Sequence, residues 1–159
     1  MLAFGKHKKT ELHKVDVNTI VTQSLKLLKG TLPANIHVQH KLEGDILLVH
    51  ADEAQLKQVV MDLCLNARDA MKQGGTLTVS TEKSKGGWVK LTVQDDGQGI
   101  DPTIRDRIFD PFFSTKEHGT GLGLAAVRRI VERFGGRIEV HSKPKEGTRM
   151  EVVLKGSVE

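Results

Sequence analysis

The 159-residue sequence predicts an α+β fold with helices gathered on one face of a mixed sheet. Three observations predict it. Apolar residues recur at helical spacing in three stretches, apolar and polar residues alternate in several shorter ones, and glycine pairs at Gly74-Gly75, Gly86-Gly87 and Gly135-Gly136 mark the changeovers.

Residues 1–15 are polar and basic and read as a stub ahead of a domain over 16–159. Asp16 is placed to cap a helix running to about Leu32, with Val17, Ile20, Val21, Leu25 and Leu28 on one side and Pro33 as the stop. Ile36 to Leu42 alternates and predicts a strand, as does the short apolar run Ile46 to Val49. The strongest helix covers about Glu53 to Gln73. Asp52 and Gln55 form a capping-box pattern at its start, and Gly74-Gly75 ends it. Its apolar stripe is Leu56, Val59, Val60, Leu63, Ala67, Ala70 and Met71; Gln55, Gln58, Asp62, Asn66 and Asp69 form a second, polar stripe. Thr76 to Lys83 and Trp88 to Gln94 read as a hairpin through Gly86-Gly87. Residues 101–108 suit a short helix, and 110–120 lack periodicity and read as a loop. A helix from about Leu122 to Phe134 and two strands, Arg137 to His141 and Thr148 to Leu154, complete the domain.

The length fits one domain with a real core, and 38% hydrophobic with 28% charged residues fits a globular chain. No apolar run approaches the roughly 18 residues of a membrane span, and basic Met1 to Lys9 lacks the apolar region of a signal peptide. Membrane contact by this chain is not expected. Cys64, the single cysteine, fits a reducing cytoplasm. The net charge of +4 raises a nucleic-acid partner, but the basic residues are scattered and no Lys/Arg run is interleaved with aromatics. The charge reads as a solvated surface with some steering of anionic ligands.

Four motifs carry chemistry. Asp62 and Asn66 stand four apart on one helix and point the same way. An Asn carbonyl oxygen can supply the single protein ligand that Mg²⁺ accepts beside phosphate and water, and a carboxylate one turn earlier can orient or deprotonate a neighbour. Taken alone, the pair reads as a wet helix face. Asp95 ends a strand ahead of Gly97 and Gly99, so its carboxylate can accept from the exocyclic amine of adenine and would reject a carbonyl there; a plain Asp-Gly turn is the bland reading. Phe109, Phe112 and Phe113 are three of five phenylalanines and cluster around Pro111, as an apolar anchor for a flap or as a local hydrophobic cluster. Lys116 follows and can reach phosphate as a point charge. Gly119, Gly121 and Gly123 open a helix whose free N–H groups can cradle phosphates. The spacing is neither Gly-x-Gly-x-x-Gly nor that of a P-loop.

In this order, Asp62-Leu63-Cys64-Leu65-Asn66-Ala67-Arg68-Asp69-Ala70, Asp95-Asp96-Gly97-Gln98-Gly99, Phe109-Asp110-Pro111-Phe112-Phe113-Ser114-Thr115-Lys116 and Gly119-Thr120-Gly121-Leu122-Gly123-Leu124 resemble the N, G1, F and G2 boxes of the sensor histidine kinase ATP-binding domain of the GHKL superfamily. The wording around Asn66 is similar to nitrogen-regulation-type sensor kinases. The resemblance covers about residues 45 to 155 and implies a two-layer α/β sandwich with a mostly antiparallel mixed sheet. By position it implies that Asn66 holds Mg²⁺, Asp95 reads adenine, Gly97 and Gly99 lie under the base, Lys116 belongs to the lid, Gly121 and Gly123 stand on the phosphate side, and Thr148 lies near the base. It also places Asp69, Ile100, Gly119, Thr120, Leu122 and Leu124 among the nucleotide-contacting positions, and Asp62 where relatives carry an acid or amide.

The implied activity is transfer of the ATP γ-phosphoryl to a histidine on a dimerisation domain, with a response regulator downstream. None of the seven histidines is followed by Glu or Asp, and residues 2–8 resemble the tail leaving a dimerisation helix. The chain is therefore expected to be the catalytic part of a longer, homodimeric cytoplasmic kinase whose own membrane attachment is left open. Two rival functions are a nucleotide-gated interaction module without transfer, and an anti-sigma-type serine kinase of the same superfamily.

Overall fold

A computed structural model describes residues 12–114 and 123–157. In chain order these form β1 (His13–Asp16), α1 (Val17–Leu28), β2 (Ile36–Lys41), β3 (Leu48–Ala51), α2 (Glu53–Ala70), β4 (Gly75–Lys83), β5 (Trp88–Asp95), α3 (Gly123–Arg133), β6 (Arg137–Lys143) and β7 (Gly147–Lys155). Five strands make one sheet in the order β2-β4-β5-β7-β6. Only β2 and β4 run parallel; the other three pairings are antiparallel. The α+β class and the mostly antiparallel mixed sheet are as the sequence predicts.

Burial alternates along the strands because successive side chains point to opposite faces. Leu77 and Val79 of β4, Val89, Leu91 and Val93 of β5, and Met150, Val152 and Leu154 of β7 are buried on the face that the helices cover. There α2 packs on β4, β5 and β7, α3 on β6, and α1 on β4. The centre of the helix layer is α2. Asp52 caps it by accepting a 2.8 Å hydrogen bond from the Gln55 N–H. Leu56, Val59, Val60, Leu63, Cys64 and Ala67 are buried along it, and each of the larger aliphatics contributes roughly 1.5–3 kcal/mol by leaving water. Cys64 joins the predicted apolar stripe, whereas Ala70 is only partly buried.

Several boundaries differ from expectation for identifiable reasons. α1 ends at Leu28 because the Leu28 carbonyl accepts from the Thr31 and Leu32 N–H groups and from the Thr31 hydroxyl, turning the chain before Pro33. α2 ends at Ala70, since Met71 leaves helical geometry at φ −111°, ψ 57°. The short helix expected over 101–108 is one turn of 3-10 helix, Arg105–Arg107, set in a staircase of three-residue turns. Ile104, Arg107, Asp110 and Phe113 each donate to the carbonyl three residues earlier, starting from Asp101. The Asp101 carboxylate accepts from Thr103 N and Oγ1, both at 2.9 Å, which competes with helix propagation.

Residues 13–15, inside the stretch read as a stub, form β1 together with Asp16. β1 pairs antiparallel with β3, and β3 begins two residues later than predicted. On its other side β3 meets the C-terminal residues. Val49 bridges Gly156, the Ser157 N–H donates to the Leu48 carbonyl at 2.7 Å, and His50 Nε2 contacts Ser157 Oγ at 2.8 Å. Among the described residues no helix is long and apolar enough to cross a membrane.

Candidate nucleotide site

At one end of the sheet the aliphatic rows give way to polar side chains. The last row on the helix-covered face reads Leu77, Asp95, Thr148, Ser142 across β4, β5, β7 and β6. One row inward it reads Val79, Val93, Met150, Val140. Asp95 and Thr148 are each 6% exposed. A polar cleft of about 460 Å³ opens at this end of the sheet, lined by Asp95, Ser142 and Thr148 and by Gln94, His141 and Arg149, which alternate with them along the strands.

The Asp95 carboxylate is held by backbone donors. Its Oδ1 accepts from the Gly97 N–H at 2.9 Å, and the Thr148 N–H also supports it. Burial pushes its pKa above the ordinary carboxylate value; the two N–H groups oppose that shift and the neighbouring Asp96 charge adds to it. Asp96 points elsewhere, its Oδ1 accepting from the Thr76 N–H at 2.9 Å and fixing the start of β4.

The loop after Asp95 is clamped from two sides. A Cβ on residue 97 would lie 2.3 Å from the Ala70 carbonyl oxygen, the same oxygen that accepts from the Gln98 N–H at 3.0 Å. Gly99 has φ +74°, and a Cβ there would lie 2.1 Å from the Lys143 carbonyl oxygen. The resemblance puts these two glycines under the base. The structure shows backbone as their tight neighbours, the end of α2 for Gly97 and the β6–β7 turn for Gly99. Lys145 N–H donates to the Gln98 carbonyl at 2.7 Å across the same seam. Ile100 closes the loop by donating its N–H to Ser142 Oγ at 2.8 Å.

α2 carries the other half of the site. Asn66 lies one turn before Ala70 and shares its side of the helix, so the amide stands on the face that leads to Gly97. Asn66 and Asp62 are both partly buried. Asp69 is engaged locally, with Oδ1 at 3.1 Å from both Arg68 Nε and Nη2. Among the described residues no group of three or more His, Cys, Asp or Glu is arranged to hold a metal ion. One amide oxygen beside a nucleotide fits Mg²⁺, which takes most of its ligands from phosphate and water.

Phe109 and Phe113 pack partly buried against the core, and their neighbour Ile108 is buried in it. The Arg107 guanidinium lies 4.6 Å from the Phe113 ring centre and that of Arg128 5.6 Å from Phe109. Phe112 is different: it is 78% exposed with φ +68°. The expected apolar anchor therefore consists of two rings. Gly123 opens α3, and Leu124 packs against the core. Lys116, Gly119, Thr120, Gly121 and Leu122 lie outside the described residues.

Sequence reasoning missed Ser142. Its Oγ lies 2.8 Å from Ile100 N, 3.1 Å from the Gly147 carbonyl and 2.9 Å from Thr148 Oγ1. A serine two residues before a Pro-Lys-Glu-Gly turn carries no signal by itself; only the β6–β7 register brings it beside Thr148.

Residues 51–157 match the family model described as histidine kinase-, DNA gyrase B-, and HSP90-like ATPase. The sensor histidine kinase ZraS of Klebsiella oxytoca is 40% identical over 134 residues, covering 84% of this chain and 29% of that protein. The signal transduction histidine-protein kinase AtoS of Escherichia coli K12 is 32% identical over 155 residues, covering 97% and 26%. The chain thus spans less than a third of the length of these relatives. Among solved structures, the mycobacterial sensor histidine kinase MprB superposes with a TM-score of 0.82 at 27% identity, covering 93% of this chain and 99% of that one. The match over residues 51–157, two thirds of the chain, places it in the histidine kinase-, DNA gyrase B- and HSP90-like ATPase family.

Proposed function

We propose that this domain binds Mg²⁺-ATP and serves as the catalytic part of a two-component sensor histidine kinase. It passes the γ-phosphoryl to a histidine on a dimerisation domain, from which a response regulator receives it. The observation that carries the reading is Asp95, a buried carboxylate at the end of the sheet whose hydrogen bonds come from the Gly97 and Thr148 backbone N–H groups. A carboxylate so placed accepts from the 6-amino group of adenine and opposes the 6-carbonyl of guanine.

Asn66 would hold Mg²⁺ through its amide oxygen, and the ion would supply charge neutralisation on the phosphates. Asp62, one turn earlier on the same face, is in place to orient a neighbouring group. Gly97 and Gly99 set the height of the loop against α2 and the β6–β7 turn. Lys116 and the segment Gly119 to Leu124 would meet the phosphates. Transfer then rests on positioning and charge, as phosphoryl transfers generally do. The residues before β1 would join the domain to the dimerisation helices of a homodimeric parent, with the catalysis in the cytoplasm.

The test has two stages. Calorimetric titration of Mg²⁺-ATP and Mg²⁺-GTP into the wild type and Asp95→Asn should show an ATP preference that the variant loses. A separately supplied dimerisation domain should then acquire an acid-labile phosphoryl group from [γ-³²P]ATP. Equal binding of both nucleotides by the wild type, or an acid-stable phosphoprotein, would overturn the reading.

A further inference from the structure

We infer that Ser142 is a positioning residue that turns the Thr148 hydroxyl into an obligate acceptor, so that the base end of the cleft selects a purine carrying a primary amine at position 6. The inference deepens the proposed function and rests on Asp95 being the base contact.

A serine hydroxyl has one proton to give and two lone pairs to receive. The Ile100 N–H can only donate, and at 2.8 Å it takes one lone pair of Ser142 Oγ. The Gly147 carbonyl can only accept, so the 3.1 Å contact takes the Ser142 proton. One lone pair remains for the 2.9 Å contact with Thr148 Oγ1. Thr148 must therefore donate inward, and its single proton is no longer available to a ligand. The opposite arrangement, with Ser142 donating to Thr148, leaves the Gly147 contact without a proton. All three contacts are satisfied in one way only.

Thr148 then offers the cleft lone pairs alone. Its cross-strand neighbour is Asp95, which when ionised also has only lone pairs to offer. Directly opposed residues in an antiparallel pair hold their Cβ atoms about 4.5–5.5 Å apart. Two adjacent acceptors suit an –NH₂ group, which has two protons to give. They oppose a 6-oxo group, because buried acceptors facing an acceptor lose their hydrogen bonds to water without replacement. Nothing in the backbone of β7 imposes this sense on Thr148; the hydroxyl at position 142 does.

The experiment compares ATP with inosine triphosphate, in the presence of Mg²⁺, for the wild type, Ser142→Ala, Ser142→Thr, Thr148→Val and Asp95→Asn, each first checked for folding by circular dichroism and thermal melting. Ser142→Ala frees the Thr148 proton to turn toward a 6-oxo group. The ATP-to-inosine triphosphate affinity ratio should fall about tenfold, the order of one hydrogen bond. Part of that fall should be a gain in absolute affinity for inosine triphosphate. Ser142→Thr keeps a hydroxyl and should restore the ratio. Thr148→Val should lower ATP affinity without any gain for inosine triphosphate.

If Ser142→Ala weakens both nucleotides by one common factor, Ser142 merely holds the loop and the inference falls. Should Ser142→Ala fail to fold, an unchanged ratio in Thr148→Val overturns it as well. If Asp95→Asn binds ATP as tightly as the wild type, the base assignment itself fails and takes this inference with it. A weakened Asp95→Asn beside an unchanged Ser142→Ala ratio removes only the inference.

Discussion

The carbonyl oxygen of Ala70 occupies the space where a side chain on residue 97 would begin, 2.3 Å from the position of a Cβ there, and the adjacent Gln98 N–H donates to the same oxygen. The end of α2 and the loop after Asp95 are thus a single joint. Gly97→Ala should push the loop off α2, cost about 1–3 kcal/mol as overpacking does, and weaken ATP binding through the displaced Asp95. Urea unfolding with a parallel nucleotide titration checks both effects; retention of wild-type stability would mean that the joint yields freely.

Acidification should act on Asp95 with opposite signs for binding and for folding. Burial raises its pKa above the ordinary 3.8, so the carboxyl takes up its proton at a higher pH in the folded protein than in the unfolded chain. Between those values the folded state binds more protons, and this group's contribution to stability increases as pH falls. Nucleotide affinity should decline over the same window, because a protonated carboxyl is a poorer acceptor for an amine. Titrations from neutral pH downward should show that decline in the wild type and lose it in Asp95→Asn.

Asn66→Ala should separate function from stability. Alanine is the better helix former by roughly half a kcal/mol, and Asn66 is only partly buried on α2. Thermal melting should show an unchanged or slightly more stable domain. Binding of ATP should lose its dependence on added magnesium, read by titration with and without EDTA. A strongly destabilised variant would assign Asn66 to the fold rather than to the nucleotide.

Cys64 should resist modification while the domain is folded. It is fully buried in α2, and burial pushes its thiol pKa from 9.0 to about 12. Those three units leave about a thousandfold less thiolate at a given pH below 9. Reaction with Ellman's reagent should therefore track global unfolding across a urea series. Above pH 9.0 the unfolded chain ionises first, so the contribution of this thiol to stability should decline as pH rises toward 12.

The elements visible in the sequence are those whose cause is local. Asp52 three residues before Gln55 announced a cap, and the spacing of Leu56, Val59, Val60 and Leu63 announced the buried side of α2. Asp95 was visible because a charged residue followed by Gly97 and Gly99 interrupts an alternating strand. β1 was hidden, since His13-Lys14-Val15-Asp16 has no strand pattern and its partner β3 comes more than thirty residues later. The turns from Asp101 to Phe113 were also hidden. Asp101 spends its carboxylate on Thr103, a competition that apolar periodicity does not register. The lesson of Ser142 is similar, for its value comes from contacts with Ile100, Gly147 and Thr148 that only strand register creates.

β3 has a mechanical consequence. Val15 and Gly156 both oppose Val49, one on each side, so the segments flanking β3 run only about 10 Å apart at two strand spacings. Tension applied between residue 13 and residue 157 would pass through this three-stranded patch and not along the five-stranded sheet. His13 pairs with Ala51 and Ser157 with Leu48, at opposite ends of β3, so such tension would load the hydrogen bonds of the patch together, in shear. Force carried in along β1 would be felt at Gly156 and Ser157 before it reached the row bearing Asp95 and Thr148.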